Sequence, residues 1–421
     1  MLEQIVDLHI HSKYSRACSK ALELPNIAKA CEKKGIDIAA TGDFTHPAWS
    51  KHIADTLLEE NEGVYRLKDG SSPTRFVLGT EIACIYKHKD AVRRLHLLVL
   101  APSIQAAAAF TAELERRHVN VKADGRPMMG LSAKTIVQIC LDIDERFMVI
   151  PAHAWTPWFA VFGSKSGYDS LEDCFEELTP HIRAIETGLS SDPVMNRRLS
   201  PLDGITLISN SDAHGLDNLG REANVLQFSD EQDITYAELT RIIKEGDRTK
   251  FLYTIEFYPE EGKYHLDGHR DCDVKLDPGE SKQRGDICPV CKKKLTIGVL
   301  HRVDDLADRE QSAVSEERFI PQRSIVPLRE VIGQIIGVGV ASKKVAAEYS
   351  KLIAKLGSEF FILLHASPEA IEQAASYPGL GPAIANMRAG TISVQSGYDG
   401  VYGTVDVLGG KKYGPRQSAL F

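Results

Sequence analysis

Short apolar segments recur along the first 255 residues of the chain, and helical patterns separate them. These segments have the length and composition of buried strands and lie at 5–11, 37–41, 76–82, 95–100, 147–153, 184–187 and 206–210. A helical pattern from Leu24 to Lys34 is closed by Gly35. Buried strands that alternate with helices favour a parallel α/β barrel, with its chemistry at the carboxyl ends of the strands. We therefore predict such a barrel over residues 1–255.

Histidine and carboxylate residues collect at these strand ends. In the first strand the side chains alternate between faces, so Asp7, His9 and His11 share one face. The further members of the set are Asp43, Glu81, His96, His153, Asp212 and His214. A lone histidine is commonly a satisfied core or surface group, but a set of this size at one rim indicates two or three divalent ions. Clustered ions polarise a phosphate ester and activate a bound water, so the pattern predicts a phosphoesterase.

The motifs that carry these residues resemble those of the polymerase-and-histidinol-phosphatase (PHP) superfamily in order and spacing. They lie at 7–11, 41–43, 79–81, 95–96, 151–153 and 210–214. The resemblance implies a distorted seven-stranded α/β barrel, with His9, His11, Glu81 and Asp212 as the residues that carry catalysis. It implies that these same four residues hold one ion, that Glu81, His96 and His153 hold a second ion with Glu81 bridging, and that Asp43 and His214 hold a third.

Two positions depart from the superfamily pattern. Asp43 stands where the second motif usually has a histidine, and Ala17 stands where a further histidine is expected. The third site is therefore poorer in nitrogen ligands. Because oxygen ligands favour Mg or Mn and nitrogen ligands favour Zn, the identity of the barrel ions stays open among these three metals. We expect Asp7 to orient a histidine rather than to bind an ion.

Several residues near the predicted rim are candidates for substrate binding. The segment 154–165 contains two of the three tryptophans of the chain. Aromatic rings beside a phosphoesterase site can stack on a base or wedge into a duplex, but a hydrophobic plug that closes the barrel is an equal alternative. The candidates are Tyr14, Ser15, Arg16, Trp155, Trp158, Phe159, Ser164, Lys165, Ser191, Asn196 and Arg197.

A polar stretch with clustered cysteines interrupts the strand and helix rhythm at residues 256–308. His269 and Cys272 form one ligand pair, and Cys288 and Cys291 form a second pair with the same two-residue spacing. This pattern is typical of structural zinc, although His265 or His301 could replace His269. The lysines and arginines around the pairs suit a nucleic-acid backbone.

Residues 309–408 are predicted to form a helical DNA-binding domain, and its first part, 309–324, is predicted to be a charged linker. The segment 377–385 has the glycine pattern of a helix-hairpin-helix, and 335–344 is a looser copy. Such hairpins expose backbone N–H groups that cradle a phosphate, so Gly379, Gly381, Lys343 and Lys344 are candidate DNA contacts. Ordinary glycine turns are the alternative, and the second copy is the stronger candidate.

The last segment, 409–421, is predicted to be a flexible tail. Its end resembles the bacterial sliding-clamp peptide, in which Gln417 is the polar anchor and Leu420 and Phe421 enter an apolar pocket.

The composition excludes a membrane protein. Of the 421 residues, 43% are hydrophobic and 26% are charged, and no apolar run approaches the roughly 18 residues of a membrane span. No secretory signal pattern is visible at the N-terminus, so we expect a cytoplasmic protein. The net charge of −8 argues mildly against wholesale nucleic-acid binding.

The order of metal barrel, zinc module and helical tail resembles the endonuclease Q family, as do the segments 264–269 and 298–309. This resemblance covers essentially the whole chain. It implies cleavage of damaged DNA, duplex or single-stranded, on the 5′ side of uracil, hypoxanthine, xanthine and abasic sites, after extrusion of the damaged nucleotide. One alternative is a phosphatase for a small molecule such as histidinol phosphate, but such an enzyme would need no zinc module. The other is a non-catalytic DNA-binding scaffold, but a scaffold would need no set of metal ligands.

Overall fold

The structure is a computed structural model that describes residues 1–409. A mixed sheet of eleven strands forms its centre, and six further strands pair with one another outside this sheet. The strands are β1 (Leu2–Asp7), β2 (Ile38–Ala40), β3 (Leu57–Asn61), β4 (Val64–Leu67), β5 (Arg75–His88), β6 (Ala91–Ala101), β7 (Met128–Met129), β8 (Met148–Pro151), β9 (Ala184–Glu186), β10 (Thr206–Ile208), β11 (Ala223–Phe228), β12 (Phe251–Glu256), β13 (Asp267–His269), β14 (Val274–Leu276), β15 (Gln322–Ser324), β16 (Ser393–Gln395) and β17 (Thr404–Asp406). The helices are α1 (Leu24–Lys34), α2 (Pro47–Thr56), α3 (Ile104–Arg116), α4 (Ala133–Ile143), α5 (Leu171–Phe175), α6 (Pro193–Asn196), α7 (Tyr236–Glu245), α8 (Pro278–Gln283), α9 (Val299–Leu306), α10 (Leu328–Ile336), α11 (Lys343–Leu356), α12 (Glu359–Leu364), α13 (Pro368–Ala374) and α14 (Leu380–Arg388).

The predicted α/β class is confirmed, but the prediction that all strands are parallel is wrong. Strands β1, β2 and β5 are parallel, as are β9 and β10, which pair apart from the large sheet. Strands β5, β6 and β8 are antiparallel neighbours, as are β1, β11 and β12. The cause is local at β5 and β6, because only Lys89 and Asp90 connect them and a two-residue turn reverses the chain. The closed seven-stranded barrel stays a prediction.

Local sequence signals place helix α1 where the sequence predicts it. It runs from Leu24 to Lys34 and ends at Gly35, whose φ of 86° lies in the left-handed region. A Cβ atom at Gly35 would lie 2.5 Å from Oγ of Ser358, so this glycine also permits close packing against the C-terminal part of the chain.

The first strand is shorter than predicted. Strand β1 ends at Asp7, and beyond it Ile10 makes a single bridge to Ala213. Leu8 and Ile10 are as deeply buried as His9 and His11, so the segment lies inside the fold with both of its faces covered.

The C-terminal parts pack directly onto the central sheet. Strand β15 adds to the sheet edge beside β12, so the segment predicted as a linker contributes a strand. Lys34 in α1 forms an ion pair of 2.8 Å with Glu359 in α12, and both side chains are buried. Hydrophobic residues of 1–255 and 309–408 share one core, to which Val299 and Val303 also belong, whereas Val274, Cys288 and Leu295 form a separate small cluster. The boundaries 1–255, 256–308 and 309–408 stay a prediction. None of the helices within residues 1–409 is long and apolar enough to cross a membrane.

Candidate metal centre

Two groups of ligand atoms meet at the carboxylate of Glu81. The first group consists of His9, His11, Glu81 and Asp212, and the second of Glu81, His96 and His153. Within each group the ligand atoms lie within 4.8 Å of one another. Glu81 belongs to both groups, and the bridging of two ions by its carboxylate stays a prediction.

The histidines of both groups direct one ring nitrogen towards Glu81. The Nε2 atom of His11 lies 3.3 Å from Oε2 of Glu81 and 3.1 Å from Oδ1 of Asp212. On the other side, Nδ1 of His96 lies 2.6 Å from Oε1 of Glu81, and Nε2 of His153 lies 3.1 Å from the same oxygen. Burial alone would raise the pKa of Glu81, but these histidines hold it well below its usual range. The carboxylate is therefore charged and ready to bind cations.

An orphaned nitrogen shows that the first group fits a metal ion. His9 is fully buried, and its Nδ1 lies 3.0 Å from both carboxylate oxygens of Glu186. Because a carboxylate only accepts, Nδ1 carries a proton, and in the neutral imidazole Nε2 then has a free lone pair. This Nε2 atom has no hydrogen-bond partner and lies 3.7 Å from both Glu81 and Asp212. An unpaired buried lone pair that faces two carboxylates is what a divalent ion would satisfy.

Strained backbone positions several of these side chains at the strand ends. Asp43, His153 and Asp212 have φ values of 47°, 31° and 45°, in the left-handed region that residues with a Cβ atom rarely adopt. They follow β2, β8 and β10, respectively. Backbone strain concentrated at the polar rim is typical of a functional site.

Within residues 1–409, no group of three or more ligand atoms contains Asp43 or His214, the predicted ligands of the third ion, although the ring centroids of His11 and His214 lie 4.6 Å apart. Oδ1 of Asp43 lies 3.1 Å from Nδ1 of His11, and Oδ2 accepts hydrogen bonds from Ser12 and from Oγ of Ser15. Nδ1 of His214 lies 2.8 Å from the carbonyl oxygen of Asp212. Asp43 thus orients His11, and the third ion stays a prediction.

Sequence reasoning missed two residues that contact the ligands. Glu186 holds His9 and also accepts hydrogen bonds from the backbone of His153 and the amide of Asn210. It ends strand β9, so the strand-end signal that marks the other residues applies to it as well. Nη1 of Arg126 lies 2.8 Å from Oε2 of Glu81. Arg126 sits in an irregular loop without a motif, and only the folded chain places it there.

The carboxylate of Asp7 contacts the backbone of the loop that carries Asp212. It accepts hydrogen bonds of 3.1 Å from the backbone N–H groups of Ser211 and Gly220 and therefore fixes the loop that carries Asp212. Burial raises the pKa of Asp7 to about 6, although these hydrogen bonds oppose the shift.

Several predicted substrate contacts are buried structural partners. Nε1 of the buried Trp155 donates to Oδ1 of Asn196 at 2.7 Å, Ser191 donates to the carbonyl of Thr187, and Arg197 donates to backbone carbonyls. For Trp155 the hydrophobic plug is therefore the better interpretation. Trp158, Ser164, Lys165 and Arg16 are exposed, Phe159 packs on the ring of His96 at 4.7 Å, and Tyr14 stacks on His46 at 4.3 Å.

A third group of ligand atoms lies in the zinc module. It consists of His269, Cys272, Cys288 and Cys291, with all ligand atoms within 4.8 Å of one another. His269 is thus the histidine that lies with the three thiols, because His301 instead bonds to Asp267. Three sulfurs and one imidazole nitrogen are the donor set that tetrahedral zinc prefers, so these residues fit a structural zinc ion.

The two glycine hairpins are not equivalent. In the second hairpin the N–H groups of Gly379 and Gly381 donate to the carboxylate of Glu372 at 2.7 and 2.9 Å. This carboxylate occupies the site in which a phosphate was predicted.

In the first hairpin Gly339 faces open space, and Lys343 begins α11 beside Lys344. The first copy is therefore the better candidate for DNA contact, which reverses the predicted ranking. The predicted clamp contacts Gln417, Leu420 and Phe421 lie outside the described residues.

The fold and the ligand groups define a metal-dependent hydrolase of the nuclease class. Over its whole length the structure is similar to that of endonuclease Q. The crystal structure of the lesion-specific endonuclease PfuEndoQ from Pyrococcus furiosus matches with a TM-score of 0.85 and 28% identity, over 97% of this chain and 98% of that chain. A crystal structure of endonuclease Q with a 27-mer duplex substrate that has an abasic lesion at the active site matches with a TM-score of 0.82 and 29% identity, over 97% and 99% of the two chains.

Sequence comparison extends this likeness. Residues 327–391 match the MJ0043 C-terminal domain family. The uncharacterized protein YqxK of Bacillus subtilis (strain 168) is 29% identical over 418 residues, which cover 95% of this chain and 98% of that protein.

Proposed function

We propose that this protein is a DNA-repair endonuclease that hydrolyses the phosphodiester on the 5′ side of deaminated bases and abasic sites. The observation that carries the proposal is the pair of ligand groups that share Glu81, in a chain whose fold matches endonuclease Q from end to end. A fold match of this extent includes residues 256–308 and the helical part at 309–408, which a phosphatase for small molecules would not need.

The residues of the metal centre have three roles in the proposed reaction: they hold ions, orient the ligands or bind phosphate. His9, His11 and Asp212 would hold one divalent ion, His96 and His153 would hold a second, and Glu81 would contact both. When bound, such ions supply an activated water and stabilise the leaving oxygen. Glu186 and Asp43 contact the Nδ1 atoms of His9 and His11, so that the Nε2 atoms of both rings face Glu81 and Asp212, where they would hold the ion. Arg126 adds a guanidinium beside Glu81 that can bind phosphate oxygens.

Damaged DNA is the proposed substrate because a single weakened base pair can be opened at low cost. Deaminated bases pair poorly, and an abasic site has no base to unpair. The nucleotide at the lesion would leave the stack and place its phosphodiester across the two ligand groups.

A nicking assay with defined duplexes tests the proposal. The protein is incubated with Mg or Mn and with labelled duplexes that contain one uracil, hypoxanthine, xanthine or abasic site, and the position of the cut is mapped. We expect cuts on the 5′ side of each lesion, loss of cutting in Asp212→Ala, and full cutting in Asp142→Ala, whose carboxylate is exposed on α4. Absence of cutting by the wild type, with release of phosphate from histidinol phosphate, would establish the phosphatase alternative instead.

We also propose that the C-terminal peptide binds a bacterial DNA sliding clamp. The support is the pattern of Gln417, Leu420 and Phe421. Deletion of 417–421 should abolish capture of the clamp in a pull-down and should leave nicking of short duplexes unchanged. Equal capture by the truncated protein would exclude this partner.

A further inference from the structure

Helix α9 of the zinc module contacts the barrel loop, residues 154–169, which follows strand β8. We propose that Arg302 of this helix is a positioning residue for the second ligand group, because it fixes the barrel loop and the loop orients His96 and His153. The inference rests on the proposed function, since it concerns one of the two ions that the proposed reaction uses. The two ligand groups that meet at Glu81 contain no residue of α9, so its contacts with the loop need another role.

The guanidinium of Arg302 binds the barrel loop at three points. Nε donates to the carbonyl of Phe162 at 3.0 Å, and Nη2 donates to the carbonyl of Tyr168 at 3.1 Å and to Oδ1 of Asp169 at 2.6 Å. Asp169 is exposed, so its ion pair alone contributes little. Phe162 and Tyr168 are buried, and loss of the guanidinium would take a charged donor from their carbonyls. These two hydrogen bonds therefore fix the second half of the loop to α9.

The first half of the same loop contacts both histidines of the second ligand group. The carbonyl of Phe159 accepts the backbone N–H of His96 at 3.0 Å, and the two rings pack with their centroids 4.7 Å apart. The hydroxyl of Thr156 lies 3.1 Å from Nδ1 of His153. Nδ1 of His96 and Nε2 of His153 lie 2.6 and 3.1 Å from Oε1 of Glu81. The loop therefore sets the direction in which these two nitrogens point.

The first ligand group is oriented by other parts of the fold. Glu186 ends strand β9 and contacts Nδ1 of His9. Asp43 follows strand β2 and contacts Nδ1 of His11. A change in α9 should therefore weaken the second ion and spare the first.

Helix α9 is itself held by the zinc module. Oδ1 of the buried Asp267 accepts the N–H of Gly298 at 2.7 Å, and Oδ2 lies 2.5 Å from Nδ1 of His301. Asp267 begins strand β13, which ends at His269, the histidine of the group with three cysteines. Direct contacts thus lead from the zinc group through α9 and Arg302 to the barrel loop.

A metal titration with a double-mutant cycle tests the inference. The full-length protein, with its barrel ions removed by a chelator and one equivalent of zinc retained, is titrated with Mn by calorimetry. We expect Arg302→Ala to weaken one ion about tenfold, the lower end of the range for groups that orient metal ligands, and to leave the other unchanged. His153→Ala should lose the same ion, because it removes a ligand of the second group. Addition of Arg302→Ala to His153→Ala should then leave the affinity of the remaining ion unchanged.

Two further variants separate positioning from general damage to the fold. Arg302→Lys keeps the charge but lacks the planar fork that reaches both carbonyls, so we expect a smaller loss of affinity for the second ion. If Arg302→Ala does not fold, Arg302→Lys takes its place in the cycle. Arg284→Ala, which removes an exposed guanidinium from the same module, should bind both ions as the wild type does.

Three results would overturn the inference: an unchanged second ion in both Arg302 variants, an equal loss of affinity for both ions, or a further loss in the double variant. The titration contains no DNA, so the nicking assay tests the proposed function separately. Selective loss of the second ion, without nicking by the wild type, excludes only the endonuclease. Nicking by the wild type, with unchanged ion affinities in the variants, excludes only the positioning role.

Discussion

Nη1 of Arg126 lies 2.8 Å from Oε2 of Glu81, so a guanidinium reaches the carboxylate that both ligand groups share. Burial lowers the pKa of Arg126, but the carboxylates of Glu81, Asp212 and Asp124 together raise it more, and the net shift is upward. Arg126 is therefore a fixed positive charge at the point where the phosphodiester is proposed to lie. It would compete with bound ions for Glu81, and its remaining N–H groups can bind phosphate oxygens.

Replacement of Arg126 by alanine should separate substrate binding from ion binding. We expect nicking to fall about 100-fold, the usual effect of removing one donor to a developing charge. Ion affinity, measured by titration of the metal-free protein with Mn, should stay equal or rise, because a competing cation is gone. A parallel loss of ion affinity and nicking would show instead that Arg126 serves only to position Glu81.

Glu186 should control the affinity of the first ligand group through His9. Its carboxylate fixes the proton on Nδ1 of His9 and also holds the backbone of His153. We expect Glu186→Ala to weaken ion binding by about 10- to 100-fold, the range for groups that orient metal ligands. Calorimetric titration would measure this, with Glu172→Ala on the exposed side of α5 as the control. Wild-type affinity in Glu186→Ala would exclude the orienting role.

The sequence predicts those features that local signals encode. The bounds of α1 follow from a proline in its first turn and from Gly35 at its end, and the candidate ligands follow from their position at strand ends. The antiparallel pairing of β8 with β6 joins segments that are far apart in the chain, and no local signal encodes its direction. The two-residue turn between β5 and β6 is a local signal that the prediction overlooked.

Tertiary contacts account for the remaining differences. Arg126 reaches Glu81 across 45 positions of sequence, and no pattern in its loop announces that contact. Glu372 accepts hydrogen bonds from the backbone N–H groups of Gly379 and Gly381. The glycine motif alone cannot show that an acidic side chain occupies the predicted phosphate site. Residues such as Asn196 were predicted from position alone, and their burial became visible only in the fold.

The group of three cysteines and His269 should bind one zinc ion that stabilises the module around it. The small core of this module consists of Val274, Cys288 and Leu295, which is too little to hold it folded without the ion. We expect Cys291→Ala to lower the zinc content by one equivalent per chain and to lower the melting temperature. Cys18→Ser, which changes a thiol outside the group, should keep the full zinc content. Unchanged zinc in Cys291→Ala would contradict the assignment.

The first hairpin should contribute to DNA affinity through charge. Lys343 and Lys344 stand at the start of α11 beside the unobstructed Gly339. Each phosphate contact adds about 0.9 to the slope of log affinity against log salt concentration, so the double replacement by alanine should lower this slope by about 1.8. Lys355→Ala, near the other end of the same helix, is the control. A slope that changes only in the control would place the DNA elsewhere.

Glu256 should make the stability of the protein depend on pH. It is fully buried, and only one of its two carboxylate oxygens has a hydrogen-bond partner, the hydroxyl of Thr187. Burial raises the pKa of Glu256 to about 8, so the folded state favours the protonated form. The resulting stabilisation is fully present below the unfolded-state pKa of about 4.3 and is lost as the pH rises towards the folded-state value.

We therefore expect Glu256→Gln to raise the melting temperature by at least about 2 °C at pH 9 and to give a smaller gain at pH 5, measured by calorimetry. Glu115→Gln, on the exposed face of α3, should give the wild-type profile, and an equal gain at both pH values in Glu256→Gln would show that packing rather than ionisation is responsible.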